Sequence, residues 1–348
     1  MAESTTLNQE ILDYLADKSK VSSKEIHQGI KIKVGYATVK RALQILIDNN
    51  LVITSGKAKA TKYQLSVAYE VLKLVDMDEY FKKEIDERQI KVEFNVSLIN
   101  QIFFDLHLFS KEEINQLNQL QEVFRLNTSE LSPSEFNREF ERLAIDLSWK
   151  SSQIEGNTYS LLETERLLKD HETASGKTQE EATMLLNHKI ALDFILENKD
   201  YVNPLTISKI EDLHSLLIKS LNVGRNIRRR RVGISGTNYK PLDNEFQIRD
   251  ALQVLCDLVN AKENIFEKAL LVLILISYIQ PFEDGNKRTA RIISNAILMN
   301  YGYCPISFRT VDSIEYKKAM LIFYEINNIS AFKKIFINQF EFAVNTYF

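Results

Sequence analysis

The stretch Ile279-Gln280-Pro281-Phe282-Glu283-Asp284-Gly285-Asn286-Lys287-Arg288-Thr289-Ala290-Arg291 decides how the rest of this chain is read. An apolar helix, about Phe266 to Ile279, runs into it, and Pro281 helps to end that helix because it lacks an N–H. An acidic, glycine-containing turn follows, and a second helix begins near Asn286. The start of a helix presents unsatisfied N–H groups and a partial positive charge, which makes it an anion site. Gly285 lets the backbone approach a phosphate. Arg288 and Arg291 lie three apart, on one helical face, and can clasp neighbouring phosphates. Asp284 would repel a bare phosphate but holds one through Mg²⁺. These features together describe a metal–nucleotide site. The alternative is structural: Asp284 caps the helix and the arginines form surface pairs.

The segment resembles the signature of the Fic (Fido) family, His-Pro-Phe-x-Asp/Glu-Gly-Asn-Gly/Lys-Arg-x-x-Arg. Pro281 through Arg291 supply eleven of its twelve positions, and the wider similarity runs over roughly residues 100–345. The resemblance implies an α-helical domain that transfers AMP from ATP to a Ser, Thr or Tyr hydroxyl of a target protein. It implies Asp284 as the Mg²⁺ ligand, Gly285, Asn286 and Lys287 as a phosphate nest, Arg288 and Arg291 as phosphate ligands, and Phe282 as the anchor of the turn. Asn286 and Arg288 then belong with position 280 to the catalytic set. Position 280 departs from the family: Gln280 stands where the general-base histidine belongs. A glutamine amide orients a hydroxyl but takes no proton from it. Loss of such a base costs about 10²–10⁴-fold in rate, while binding and electrostatic stabilisation survive. His27, His107, His171, His188 and His214 are all remote in sequence from the turn. Lys287, in place of the second glycine, leaves open whether AMP or phosphate is transferred, with Gly285 favouring AMP.

Upstream, Ser151-Ser152-Gln153-Ile154-Glu155-Gly156 closes an amphipathic helix built on Phe136, Phe140, Leu143 and Leu147. Gly156 suits the left-handed residue that ends a helix, and Ser160 with Glu163 opens the next one as a capping box. Glu155 sits near a helix C-terminus, where the dipole disfavours an acid, so a cationic partner is expected. The pattern is similar to the family's inhibitory motif, Ser/Thr-x-x-x-Glu-Gly/Asn. The resemblance implies that Glu155 pairs with Arg291 and takes the seat of the ATP γ-phosphate. A merely structural ion pair is the alternative. Val232 to Pro241, including Gly233, Ile234, Ser235, Gly236 and Thr237, resembles the family's flap, a β-hairpin that holds the target by main-chain pairing. Arg228 to Arg231 precede it, either as a solvated or acid-paired patch or as a site for an acidic target.

The chain has 348 residues, 45% of them hydrophobic and 26% charged, with only 10 glycines and 5 prolines. Such a chain holds two or three domains and is mostly helical. Its net charge of −3 conceals an asymmetry: residues 1–68 carry about +4, leaving about −7 on the remainder. A basic module on an acidic body points to a partner of its own. The periodicity predicts a helix through Leu7, Ile11, Leu12 and Leu15. A second is capped by Ser22 and Glu25, and a third runs from about Ala37 to Asn50. A hairpin follows, from Leu51–Thr54 and Thr61–Leu65. This resembles a winged helix-turn-helix, with Lys40, Arg41 and Gln44 placed to read bases and Lys57, Lys59 and Lys62 to meet DNA phosphates. A protein-binding or merely solvated module is the alternative. Asp76 to Lys91 reads as a connecting helix, and Glu112 to Arg125 as another.

The expected organisation is therefore a winged helix (1–68), a helical connector (69–130) and an all-α Fic domain with a small β-hairpin flap (131–348). Cys256 and Cys304 read as buried free thiols. The polar N-terminus is no signal peptide, and Ala269–Ile279, the longest apolar run, is too short to span a bilayer. A cytoplasmic protein with no membrane partner is expected. Family members often dimerise, and no residue here decides that. The main reading is an Mg²⁺- and ATP-dependent AMP transferase, inhibited by Glu155 and impaired at Gln280. The other is a DNA-binding transcriptional regulator whose Fic domain is a nucleotide sensor or interaction platform.

Overall fold

In the computed structural model the apolar run is a single helix, Ile265–Ile279 (α13), buried on every side from Phe266 onwards. A helix apolar all round belongs inside a core. Asn264 caps its start by accepting from the Glu267 N–H at 3.1 Å. The structure describes residues 2–18 and 20–348, with the side chains of residues 2–5 and of Lys59 outside that set. The phosphate contact expected of Lys59 thus lies outside the described residues.

Before α13 come α1 (Ala2–Ala16), α2 (Ser23–Gly29), α3 (Tyr36–Asp48), the short turns α4 (Tyr69–Leu72), α5 (Met77–Tyr80) and α6 (Phe103–Asp105), then α7 (Lys111–Ser129), α8 (Pro133–Ile154), α9 (Leu161–Asp170), α10 (Gln179–Glu197), α11 (Ile207–Leu217) and α12 (Glu245–Ala261). After it come α14 (Asn286–Asn300), α15 (Ser313–Ile326) and α16 (Ser330–Tyr347). Helices α12 and α15 flank α13, while α8, α10 and α11 cover α14. Helix α14 is buried along nearly its whole length, so its polar side also faces the interior. Buried polar groups need partners: Asn295 on α14 bonds the Ile306 main chain on both sides.

The N-terminal residues form the expected winged helix. Leu7, Ile11, Ile26, Val39, Leu43 and Leu46 build a small separate core. The Ser22–Glu25 capping box is present. Strands β1 (Val52–Ser55) and β2 (Lys62–Leu65) pair antiparallel, Val52 opposite Leu65, and Val21 adds a bridge to Tyr63. Lys40, Arg41 and Gln44 are exposed along α3, and Lys57 is exposed at the hairpin tip. Lys62 does not point freely outward: it pairs with Glu25 at 3.0 Å.

Two expectations are corrected. The connecting helix over Asp76–Lys91 does not form. Two N-caps, Asp76 and Glu84, break it into the turn α5 and a 3₁₀ turn at Ile85–Glu87, and the segment is tied instead to the end of α15. The flap has no ladder either. The described residues hold one two-stranded sheet, β1–β2, and Ser235–Gly236 is a turn between arms without regular structure. The arm that should have paired within the flap is bonded elsewhere, Lys240 N–H to Val92 O at 2.7 Å. Among the described residues no helix is long and apolar enough to cross a membrane.

Candidate functional site

The turn between α13 and α14 is fixed by residues at both of its ends. Gln280 ends α13 in the left-handed region, φ 51° and ψ 59°. Gly285, at φ 80°, starts α14. The first conformation is costly for a side chain other than glycine or asparagine. The Asn286 amide spans the turn: its oxygen accepts from Phe282 N–H at 2.8 Å and its nitrogen donates to Phe282 O at 2.8 Å and to Gln280 Oε1 at 3.0 Å. Gln280 Nε2 donates to Ser277 O at 2.6 Å. The Gln280 amide is therefore engaged at both ends. Asn286 spends its side chain on the turn and leaves its main-chain N–H to the helix start.

Phe282 is buried and stacks on His214, centroids 3.6 Å apart and planes 3° apart. His214 Nε2 lies 3.0 Å from Asp284 O. A carbonyl only accepts, so that nitrogen carries the proton. Burial drives the His214 pKa down to about 4, which leaves the ring neutral at pH 7.

Arg288 and Arg291 leave the same face, as their spacing requires, but hold different partners. Arg288, wholly buried, pairs with the Asp284 carboxylate at 2.7 Å, while that carboxylate stays 60% exposed. Arg291 donates from Nε to Ser151 Oγ at 2.8 Å and from NH2 to Ser151 O at 3.0 Å and Glu155 Oε1 at 2.8 Å. Lys287 Nζ reaches Glu155 Oε2 at 3.2 Å. Burial alone would raise the Glu155 pKa, but Arg291 and then Lys287 outweigh it and hold it at about 2. Ser151 Oγ already accepts from Arg291, so its proton points to His188 Nε2, 2.8 Å away. That ring is a neutral acceptor, because burial and the charges of Arg291 and Arg288 push its pKa well below the usual histidine value. Glu155 follows the last residue of α8, and Gly156 beyond it takes φ 104°.

A cleft of about 400 Å³ opens over these groups, lined by Glu155, Gln280, Asp284 to Lys287, Lys317 and Tyr324. Its far wall is the flap arm Val232–Ser235, with Gly233, Ile234 and Ser235 facing in. Gly236 and Thr237 lie on the other side of the flap turn; Thr237 Oγ1 accepts from Tyr239 N–H at 3.1 Å.

Three supports had no assigned role in the sequence. Arg228 differs from its neighbours: it is buried, its N–H bonds Pro281 O at 2.9 Å, and its guanidinium bonds Gln280 O at 2.6 Å and Arg230 O at 2.8 Å. Arg229 and Arg231 are exposed and pair with Glu245 and Asp243. A run of four arginines carries no signal for which one turns inward. His188 and His214 are far from the turn in sequence, and only the packing of α10 and α11 on α14 brings them to it.

Fold and site together define a helical domain with a basic, glycine-opened helix start, joined to a winged helix. Residues 204–298 match the Fic/DOC family, and residues 4–122 match the penicillinase repressor. The chain carries a Fic/DOC domain behind an N-terminal winged-helix domain. It is 27% identical over 169 residues to the protein adenylyltransferase fic-1 of Caenorhabditis elegans, covering 47% of this chain and 33% of that one. To the protein adenylyltransferase Fic of Drosophila willistoni it is 28% identical over 164 residues, covering 45% and 32%. The match thus spans about a third of the length of these relatives. Among solved structures, Fic-1 of C. elegans superposes with a TM-score of 0.58 at 21% identity, over 68% of this chain and 72% of that one. A Fic domain containing signaling protein of Bacteroides thetaiotaomicron does so with a TM-score of 0.58 at 22% identity, over 66% and 94%. These likenesses show the fold.

Proposed function

We propose that this chain is a Fic-type protein AMP transferase held off by its own Glu155 and slowed by Gln280. The observation that carries the proposal is the placement of Glu155 on Arg291 and Lys287, above a helix start opened by Gly285. A carboxylate there competes with the terminal phosphate of a nucleotide for the same cations. With Glu155 withdrawn, the N–H groups at the start of α14, Lys287, Arg288 and Arg291 are left to receive a triphosphate. Asp284 fits Mg²⁺, which takes one or two carboxylates and completes its shell with phosphate oxygens and water. The ion supplies charge neutralisation on the phosphates.

In the transfer, a target hydroxyl oxygen bonds the α-phosphorus and pyrophosphate leaves. The flap arm Gly233–Ser235 offers main-chain groups on which an extended target segment can be laid beside position 280. Gln280 meets the hydroxyl with an amide already bonded to Asn286 and Ser277, so the hydroxyl proton passes to solvent water rather than to a side chain at that position, and transfer is slow. The chain divides by use: 1–68 for a separate partner, 69–130 as connector, 131–348 for transfer. The buried thiols of Cys256 and Cys304 accord with a cytoplasmic setting.

The test is transfer of label from α-labelled ATP with Mg²⁺. The parent should label proteins feebly. Glu155→Gly with Gln280→His should label itself or a target strongly. Silence from that double variant, despite measured ATP binding, would overturn the enzyme reading.

A second reading, transcriptional regulation through DNA, is favoured by the exposed Lys40, Arg41 and Gln44 on α3 together with the penicillinase repressor match. In it the Fic domain serves as nucleotide sensor or partner platform.

A further inference from the structure

The segment that leads out of the winged helix passes along the outer side of the flap and bonds it at every second residue. Arg88 NH2 donates to Gly236 O at 2.8 Å. Asn238 Nδ2 donates to Asp86 Oδ1 at 2.9 Å. Lys240 N–H donates to Val92 O at 2.7 Å, and Glu93 bridges Lys240 in parallel. The Gly236 carbonyl in the turn, the Asn238 side chain and the Lys240 main chain all meet this segment, while Val232–Ser235 line the cleft.

The segment is itself anchored. Arg88 is buried against Glu325, NH1 to Oε2 at 3.4 Å, and lies over the Phe81 ring at 5.1 Å. Tyr80 Oη donates to Glu325 Oε2 at 2.6 Å, and Lys91 N–H to Glu325 O at 2.7 Å. Asn95 N–H donates to Tyr278 Oη at 2.9 Å, two residues before Gln280.

We infer that residues 86–93 are a positioning strap for the flap, and that Arg88 sets how well the chain engages a protein target without touching nucleotide. The inference rests on the transferase reading for its consequence, though not for its geometry. A loop with no ladder of its own keeps its shape through outside contacts, here this segment and the buried Tyr239, whose hydroxyl donates to Tyr278 O at 3.1 Å. Losing a bond to a charged donor such as Arg88 is expected to raise local opening of the flap roughly tenfold or more.

The test uses the full chain carrying Glu155→Gly and Gln280→His. Arg88→Ala alone would strand the buried Glu325 carboxylate, so the informative variant is Arg88→Gln with Glu325→Gln, which removes both charges. Asp86→Ala is the gentle companion, and Asp86→Asn, which keeps an acceptor for Asn238, is the rescue. Amide exchange of residues 232–240 is measured, with affinity for Mg-ATP and the rate of label transfer to lysate proteins. In the double glutamine variant the flap amides should exchange roughly tenfold faster, ATP affinity should stay within about twofold, and transfer should fall about tenfold. Asp86→Ala should show the same pattern more weakly, and Asp86→Asn should match the parent. Unchanged flap exchange in a folded double variant would overturn the strap. So would faster exchange with undiminished transfer, for its bearing on targets. If the background protein transfers no label at all, the transferase reading fails and flap exchange alone decides the strap.

Discussion

At the scale of single residues, the site turns on two substitutable groups. Gln280 sits in the left-handed region with both amide atoms bonded inside the turn. A histidine placed there can accept the hydroxyl proton. In a Glu155→Gly background, Gln280→His is expected to raise the transfer rate by about 10²-fold or more, read from labelled AMP incorporation. Glu155 titrates unusually low, near 2 against an ordinary 4.5, because Arg291 and Lys287 outweigh its burial. A depressed folded pKa gives stability that is whole above about 4.5 and lost as pH falls toward 2. The melting-temperature gap between parent and Glu155→Gln should therefore be level from pH 5 to 8 and shrink below pH 4.5. A gap that instead changed between pH 6 and 8 would point to another titrating group.

At the scale of elements, the signature turn depends on backbone that only certain residues tolerate. A Cβ on Gly285 would sit 3.4 Å from the His214 ring and Ile218, on a φ of 80°. Gly285→Ala is expected to cost about 1–2 kcal/mol in urea unfolding and to weaken Mg-ATP binding. Elements specified by near neighbours were legible in the sequence. The capping boxes of α2 and α9, the apolar stripe of α3 and the all-apolar α13 formed where their residues said. The turn of Pro281–Arg291 and the Glu155–Arg291 pair were legible through the resemblance. What was not legible depended on distant partners. Asp76–Lys91 carried enough apolar residues for a helix, yet Glu325, more than two hundred residues later, holds it as a strap. The flap hairpin failed for the same reason, since its outer arm bonds that strap.

At the scale of the whole molecule, two bodies of opposite charge are joined through a tied linker. Asn328 Nδ2 bonds Glu70 O at 2.8 Å and Lys73 O at 2.7 Å, and Ile329 N–H bonds Val71 O at 2.8 Å. The winged helix is thus anchored at its exit. If it binds DNA, affinity should fall steeply with salt, and Lys57→Ala with Lys59→Ala should reduce the log–log slope by about 0.9 for each phosphate no longer neutralised. A slope unchanged by that pair would move the phosphate contacts elsewhere on the domain. The central claim, that Glu155 and a nucleotide contend for Arg291 and Lys287, is tested most directly by calorimetric titration of Mg-ATP into the parent and into Glu155→Gly. The account expects the variant to bind at least about tenfold more tightly, the difference expected from freeing a charge-assisted pair. Equal affinity in both, or no binding in the variant, would contradict it.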